Sequence, residues 1–422
     1  MRMALRTLSK ALAVGMVFLI PGTTLAQQVT LSFWSWRVED KEFYDDIAKQ
    51  FEKQTGIKVV FTPYKNTEYN TILSSALAAG SGPDIIHTRA YGGLAQLADA
   101  GYLLPIDAKQ VPNLSKFPSS LLNAARGFKD DTRKKIYGVP FATQSLGFFY
   151  NKDLLSRAGI KELPETWPEF KAALAKIKAA GIVPLANGPK DGVSLEQIFG
   201  VIGPMFYGGT DYFRDVTSGK KTFVDEGFIK ALEETAALKE FFPPNYAGIG
   251  YPEGRTLFTN GGAAFFVTGG FDIAFFRENN PKLNFGFMPA PPLTRGGRTY
   301  VPTFADGNYS INAKTKYPEA AIKFLNFLST PEFGQQFTER LAQASAIPGT
   351  KAKDPVLAEI IEQTGYYGTP FLTLVGFRYA TPTGTELIRS GLQRMILGQA
   401  TGRQVAEEMT KGVATWFKPF QK

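Results

Sequence analysis

Strand and helix patterns alternate along residues 29–87, and this alternation limits the possible architecture more than any other feature of the chain. Residues 29–34 alternate apolar and polar, as a half-buried strand does. In residues 39–54, Phe43, Ile47 and Phe51 recur at every fourth position, which places one apolar stripe on a helix. Gly56 stops that helix. Residues 57–61 form a β-branched and aromatic strand, and residues 69–79 a helix with Ile72, Leu73, Ala76 and Leu77 inward. Gly82-Pro83-Asp84 then introduces a third strand at Ile85-Ile86-His87. Strand, helix, strand, helix, strand predicts a parallel sheet with covering helices. Ligands of open α/β sheets sit beyond the carboxyl ends of the strands. Residues 34–37 and 87–91 leave such ends, and both are aromatic and polar.

A second α/β region starts near Gly147-Phe148-Phe149-Tyr150. It continues through a helix at 167–180, with Phe170, Leu174 and Ile177 on one face, and a strand at 182–185. Residues 261–266 and 283–288 read as further strands, and 318–328, 332–341, 386–397 and 405–417 as helices. The length of 422 residues suits two or three domains. No composition shift marks a linker, so short crossovers are expected to stitch the regions together.

The first residues read as an export signal. Arg2, Arg6 and Lys10 precede an apolar run at 11–20, followed by Pro21-Gly22 and small residues up to Ala26. The apolar run is too short to span a bilayer, which takes about 20 residues. Cleavage after Ala26 would start the mature chain at Gln27. No Cys follows the cut to carry a lipid, so a soluble periplasmic protein is expected. The formal net charge of +9 falls by three when the leader is removed. The remainder is spread along the chain, and its longest basic run, Arg133-Lys134-Lys135, is flanked by Asp130-Asp131 and reads as a solvated loop. No nucleic-acid footprint is present.

With no Cys and the single His87, cysteine nucleophiles, disulfides, iron–sulfur clusters and Cys or multi-His zinc sites are excluded. No metal or other cofactor is expected. Dinucleotide and phosphate-loop spacings are absent. A pair of carboxylates able to cleave glycosides could be spread through the sequence. His87 itself reads as a partly buried residue bonded to a backbone carbonyl. Aromatic residues make up 13% of the chain, and most belong to the core. Trp36, Tyr91, Phe271 and Tyr366 differ in lying beside Gly or polar neighbours in loops. Sugar rings present C–H faces to aromatic rings and hydroxyls to planar polar groups. Rings near Arg37, Arg89, Gln144, Asp272, Asp306 and Asn308 match that chemistry.

Six ordered segments then resemble a known family. They are residues 51–59 (FEKQTGIKV), 78–86 (AAGSGPDII), 137–140 with 149–155 (YGVP and FYNKDLL), 164–170 (PETWPEF), 261–265 running to 269–272 (GGAAF and GGFD), and 318–321 running to 324–325 (PEAA and FL). Together they resemble the extracellular solute-binding proteins of carbohydrate ABC importers, the group that includes maltose-binding protein. The resemblance implies a two-lobed α/β periplasmic binding protein fold of type II, with the chain crossing between lobes and a ligand cleft at the hinge. It implies lobe 1 from 27–141 and 308–345, and lobe 2 from 142–307 and 346–422, behind a leader at 1–26. By position it places ligand contacts at 36–39, 89–91, Gln144 and Phe271-Asp272. Asp306 and Asn308 lie near the second crossing. Phe271 stands where the family's Gly-x-Trp segment has Trp, and the loop after His87 differs in length.

The expectation is a monomeric carrier without enzymatic activity that hands a di- or oligosaccharide to inner-membrane permease subunits. Trp36, Tyr91 and Phe271 are expected to stack on the sugar. Arg37, Glu39, Arg89, Gln144, Asp272, Asp306 and Asn308 would bond its hydroxyls, with Tyr366 and Arg378 at the rim. Trp36, Phe271 and Asp306 should therefore converge on one hollow. Two alternatives stand beside this one: the same fold holding a glycerophosphodiester, polyol or anionic sugar derivative, and a secreted polysaccharide-degrading enzyme.

Overall fold

The computed structural model describes residues 28–421; the leader expected at 1–26 lies outside them. Nine strands form the sheet: β1 Thr30–Ser35, β2 Lys58–Pro63, β3 Ile85–Arg89, β4 Val139–Asn151, β5 Val183–Leu185, β6 Ala263–Gly269, β7 Phe285–Met288, β8 Val301–Ile311 and β9 Gly368–Pro370. Their order is β2-β1-β3-β8-β4-β6-β5, with β7 on β4 and β9 on β8. β1 pairs in parallel with β2 and β3, as the alternating pattern predicts. The helix Lys41–Thr55 buries Phe43, Tyr44, Ile47 and Phe51. It ends at Gly56, whose φ of 73° is a left-handed conformation that glycine adopts freely; the Gly56 N–H closes the last turn on the Glu52 carbonyl at 2.8 Å.

The two halves are joined by long strands. The first half of β4 pairs antiparallel with β8, from Val139 opposite Tyr309 to Ser145 opposite Thr303, with irregular register at 140–143. The second half of β4 turns to β6 and β7. β8 in turn pairs with β3 through its carboxyl end and with β9 through its amino end. Each strand is therefore shared between two sets of neighbours, and any hinge bends here.

The apolar core divides accordingly. One cluster draws on residues 31–142 and 309–347, with Phe33 making edge contacts to Tyr44, Phe61, Tyr309 and Phe324. A second draws on 146–290 and 371–420. A third, around Phe149, Phe266, Phe276 and Phe285, covers the other face of β4 and β6. At about 1.5–3 kcal/mol for each buried large side chain, either half holds a core of its own. The sequence patterns miss the helix Val193–Tyr207, which is buried on nearly every face and shows no polar side to reveal its period.

Candidate functional site

Three cavities follow one another along the junction of the two halves. The first, about 360 Å³, lies between Pro118 and Leu121 on one side and Gly270, Leu357, Ile360 and Thr364 on the other. Its floor is Thr143, Gln144 and Ser145 of β4 together with residues 344–350, a third passage of the chain. The second, about 440 Å³, shares Pro118, Leu121, Thr143 and Thr364 with the first and adds Tyr91, Thr303, Phe304, Ala305 and Thr369. The third, about 710 Å³, shares Tyr91, Ser120, Pro370 and Val375 with the second. It opens among Phe128, Phe213, Tyr379 and Phe417, with Arg126, Arg133 and Lys134 alongside. The shared walls make this one trench, floored by the crossing strands. No Asp or Glu is among its lining residues.

Tyr91, just past β3, lines both the second and the third cavity. Its backbone, at φ 54° and ψ −123°, is in a region that non-glycine residues avoid, and such strain concentrates at binding sites. Two bonds hold it: the Tyr91 N–H donates to the Ala124 carbonyl at 2.9 Å, and its hydroxyl accepts from the Ala305 N–H of β8 at 3.0 Å. Around it a small apolar cluster of Ala90, Ala124, Ala305, Phe304, Val375 and Tyr379 bridges the halves. Gln144 is held at the other end by donating to the Gln343 side chain at 3.0 Å.

A family model for bacterial extracellular solute-binding proteins matches residues 35–335. The chain belongs to that family. An uncharacterized ABC transporter extracellular-binding protein of Pyrococcus horikoshii is 25% identical over 92% of this chain and 87% of its own length. The galactooligosaccharide-binding protein of Bacillus subtilis is 26% identical over 89% of this chain and 88% of its own. Among solved structures, a chitin oligosaccharide binding protein superposes with a TM-score of 0.77 at 22% identity, over 93% of this chain and 99% of that one. The fold is therefore the type II periplasmic binding protein fold.

For a solute-binding protein, the residues expected from the sequence fall into unequal groups. Tyr91 and Gln144 line the trench, whereas Trp36, Phe271 and Asp306 are not among its lining residues, so this trench is not the hollow expected among those three. Trp36 is 3% exposed: the Arg89 guanidinium lies 3.8 Å from its ring centre and the His87 ring 4.7 Å away, which leaves no face for a sugar. Arg37 is buried and already pairs with Asp40, with Glu39 at 3.4 Å and with Asp306 at 3.8 Å. Asn308 is wholly buried under the Ala124 carbonyl, to which it donates at 3.1 Å. Asp272 accepts inside its own half from Tyr251, from Thr268 at 2.7 Å and from Arg255 at 3.4 Å. Burial pushes the Asp272 carboxyl up, and those three donors oppose it. Phe271 follows Gly270, which touches the first cavity, and packs near Tyr251 at 6.5 Å. Tyr366 is 76% exposed and outside the trench. Arg89 and Arg378 line a separate pocket.

His87 is part of the core. It stacks on Tyr309 with ring centres 5.0 Å apart and shares a 2.7 Å hydrogen bond through Nδ1 with Ser35. The sequence reading missed Phe304, Phe213, Tyr379 and Phe128. Phe304 was hidden because it lies in the amino half of β8, upstream of 309–312, the only part of that strand the sequence shows. The run Arg133-Lys134-Lys135 is exposed, as a solvated loop should be, with Arg133 paired to Asp130 at 3.2 Å, and Arg133 and Lys134 also border the wide end of the trench.

Proposed function

We propose that this chain is the substrate-binding component of an ABC importer and closes its two lobes around a di- or oligosaccharide. The observation that carries this is the trench itself: it is long and lies between two cores. Rings line it at Tyr91, Phe304, Phe213 and Tyr379, and small hydroxyl or amide groups line it at Thr143, Gln144, Ser145, Thr303 and Thr369. Rings meet the C–H faces of sugars and the polar groups their hydroxyls, and a chain of pockets admits several units. Relatives named for galactooligosaccharide and chitin oligosaccharide support the same class of ligand. The lobes are taken as 27–141 with 308–345, and 142–307 with 346–422. The site is periplasmic, with the leader removed at Ala26, and the carrier acts as a monomer that passes its sugar to the permease.

The carrier performs no chemistry in this reading. A glycosidase needs two carboxyl groups about 5–10 Å apart across the scissile bond, and the trench walls supply none. An anionic sugar derivative is the second reading, favoured by Arg126, Arg133 and Lys134 at the wide end. The test is a thermal-shift and calorimetric screen of neutral and acidic oligosaccharides with chromatography of the recovered sugar. A saturable shift with the sugar recovered intact supports a carrier; release of shorter sugars, or no response to any member, would sink it.

A further inference from the structure

A smaller pocket of about 250 Å³ shares no lining residue with the trench. One wall comes from the first lobe, with Tyr69, Thr88, Arg89 and Gln96, and the other from the carboxyl-terminal part of the second, with Arg378, Thr381, Thr383 and Glu386. It holds two arginines, one from each lobe, both half-buried. Among the described residues no carboxylate lies within 4 Å of either. Arg89 is fixed rather than free: it donates to the Asn66 side chain and lies flat on Trp36. The nearby acids are already engaged, Asp306 by Arg37 at 3.8 Å, Glu196 by Arg389 at 2.6 Å, and Glu386 by the Thr383 N–H at 2.8 Å. Burial pushes the Arg89 guanidinium down to about 10; Asp306 opposes that fall and the Arg378 charge adds to it, while burial also lowers Arg378 against the opposing charges of Glu196, Glu386 and Asp306.

Two guanidinium groups lining one half-buried pocket repel each other unless something negative lies between them, and a planar fork of donors matches an oxyanion. We propose that this pocket binds a phosphate- or sulfate-type oxyanion, held by Arg89 of one lobe and Arg378 of the other. The Thr381 and Thr383 hydroxyls and the Gln96 amide are further donors in the same walls. Because the two arginines belong to different lobes, the oxyanion stabilises the arrangement in which the lobes touch. It is either a free inorganic ion or a phosphate or sulfate group on the carried sugar. The proposal stands on residues outside the trench and does not require that the trench hold a sugar.

The test is calorimetric titration of the mature chain with inorganic phosphate and with sulfate, against sodium chloride at matched ionic strength. Wild type is compared with Arg378→Gln, Arg89→Gln and Arg378→Lys, all first shown to be folded by circular dichroism. Saturable phosphate or sulfate binding is expected in wild type. It should weaken by about tenfold or more in each Gln variant, as loss of a charged hydrogen-bond partner implies, and recover in part in Arg378→Lys. Absence of saturable binding to folded wild type, a chloride response of equal size, or undiminished binding in both Gln variants would overturn the site. Phosphate that still binds beside a saturating neutral oligosaccharide supports the free ion. Displacement by a sugar phosphate but not by the neutral sugar supports a group on the cargo, and displacement by the neutral sugar overturns a separate site. A neutral sugar that fails to bind bears on the trench alone.

Discussion

At the scale of single residues, one side chain gives this chain a pH dependence near neutrality. His87 is its only histidine, so no other imidazole obscures its titration. Burial, with the Arg37 and Arg89 charges adding to it, holds the ring well below the ordinary histidine value, and among the described residues Nε2 has no hydrogen-bond partner. The folded chain therefore keeps His87 neutral in a pH range where the unfolded chain, near 6.5, takes up a proton. The unfolded state binds more protons, so stability is complete above that value and is lost as pH falls below it. Urea unfolding between pH 7 and 5 should lose about 1.4 kcal/mol per pH unit once the unfolded ring is charged. A His87→Gln variant, less stable overall because its packing among Trp36, Phe141 and Tyr309 is disturbed, should lose that slope. A slope that persists in the variant would assign the pH effect to carboxylates instead.

At the scale of elements, the helix Val193–Tyr207 packs inside the second core, and its one buried acid ties it to the carboxyl-terminal segment. Glu196 accepts from Thr373 at 2.7 Å, Thr385 at 2.9 Å and Arg389 at 2.6 Å. Removing it strands two buried hydroxyls, although Arg389, about one-third exposed, keeps access to water and softens the loss. Glu196→Ala should cost about 2–4 kcal/mol by urea unfolding, and Glu196→Gln, which keeps an acceptor, distinctly less. Equal losses would mean that the carboxylate charge, not its hydrogen bonding, does the holding. This helix also shows where the sequence stops being legible. Elements with one wet face, such as Lys41–Thr55 or β1, show their period plainly, whereas Val193–Tyr207 is covered all round and the crossing strands β4 and β8 change neighbours midway. The site was legible only in part for the same reason. Position after a strand end singles out Tyr91, and the family resemblance singles out Gln144; both line the trench. Whether Trp36 faces a ligand or an arginine depends on Arg89, which lies 53 positions further along the chain.

At the scale of the whole molecule, the question is what holds the lobes in contact. Helix Gly92–Asp99 of the first lobe meets the backbone at Arg378 so closely that a Cβ on Gly92 would stand 1.8 Å from the Arg378 carbonyl oxygen. Beside it the Gln96 amide donates to the Tyr379 carbonyl at 3.4 Å, and Phe128 stacks on Tyr379 with ring centres 4.8 Å apart. A side chain at 92 meets backbone, which cannot swing aside, so the contact must open by the width of a methyl group. Overpacking of this kind costs about 1–3 kcal/mol, and the cost falls on the touching arrangement and not on either lobe alone. Gly92→Ala should therefore leave the unfolding of each lobe nearly unchanged while shifting the population toward separated lobes. Any ligand that needs both lobes would then bind about 5–150-fold more weakly. Small-angle scattering should show a larger radius of gyration for Gly92→Ala than for wild type at saturating ligand. Calorimetry should find the affinity loss smaller for Tyr379→Ala, which removes a stacked pair worth about 0.5–1.5 kcal/mol and introduces no clash. If Gly92→Ala binds like wild type with an unchanged radius, the ligand-bound chain does not use this contact, and closure proceeds about some other line across β4 and β8.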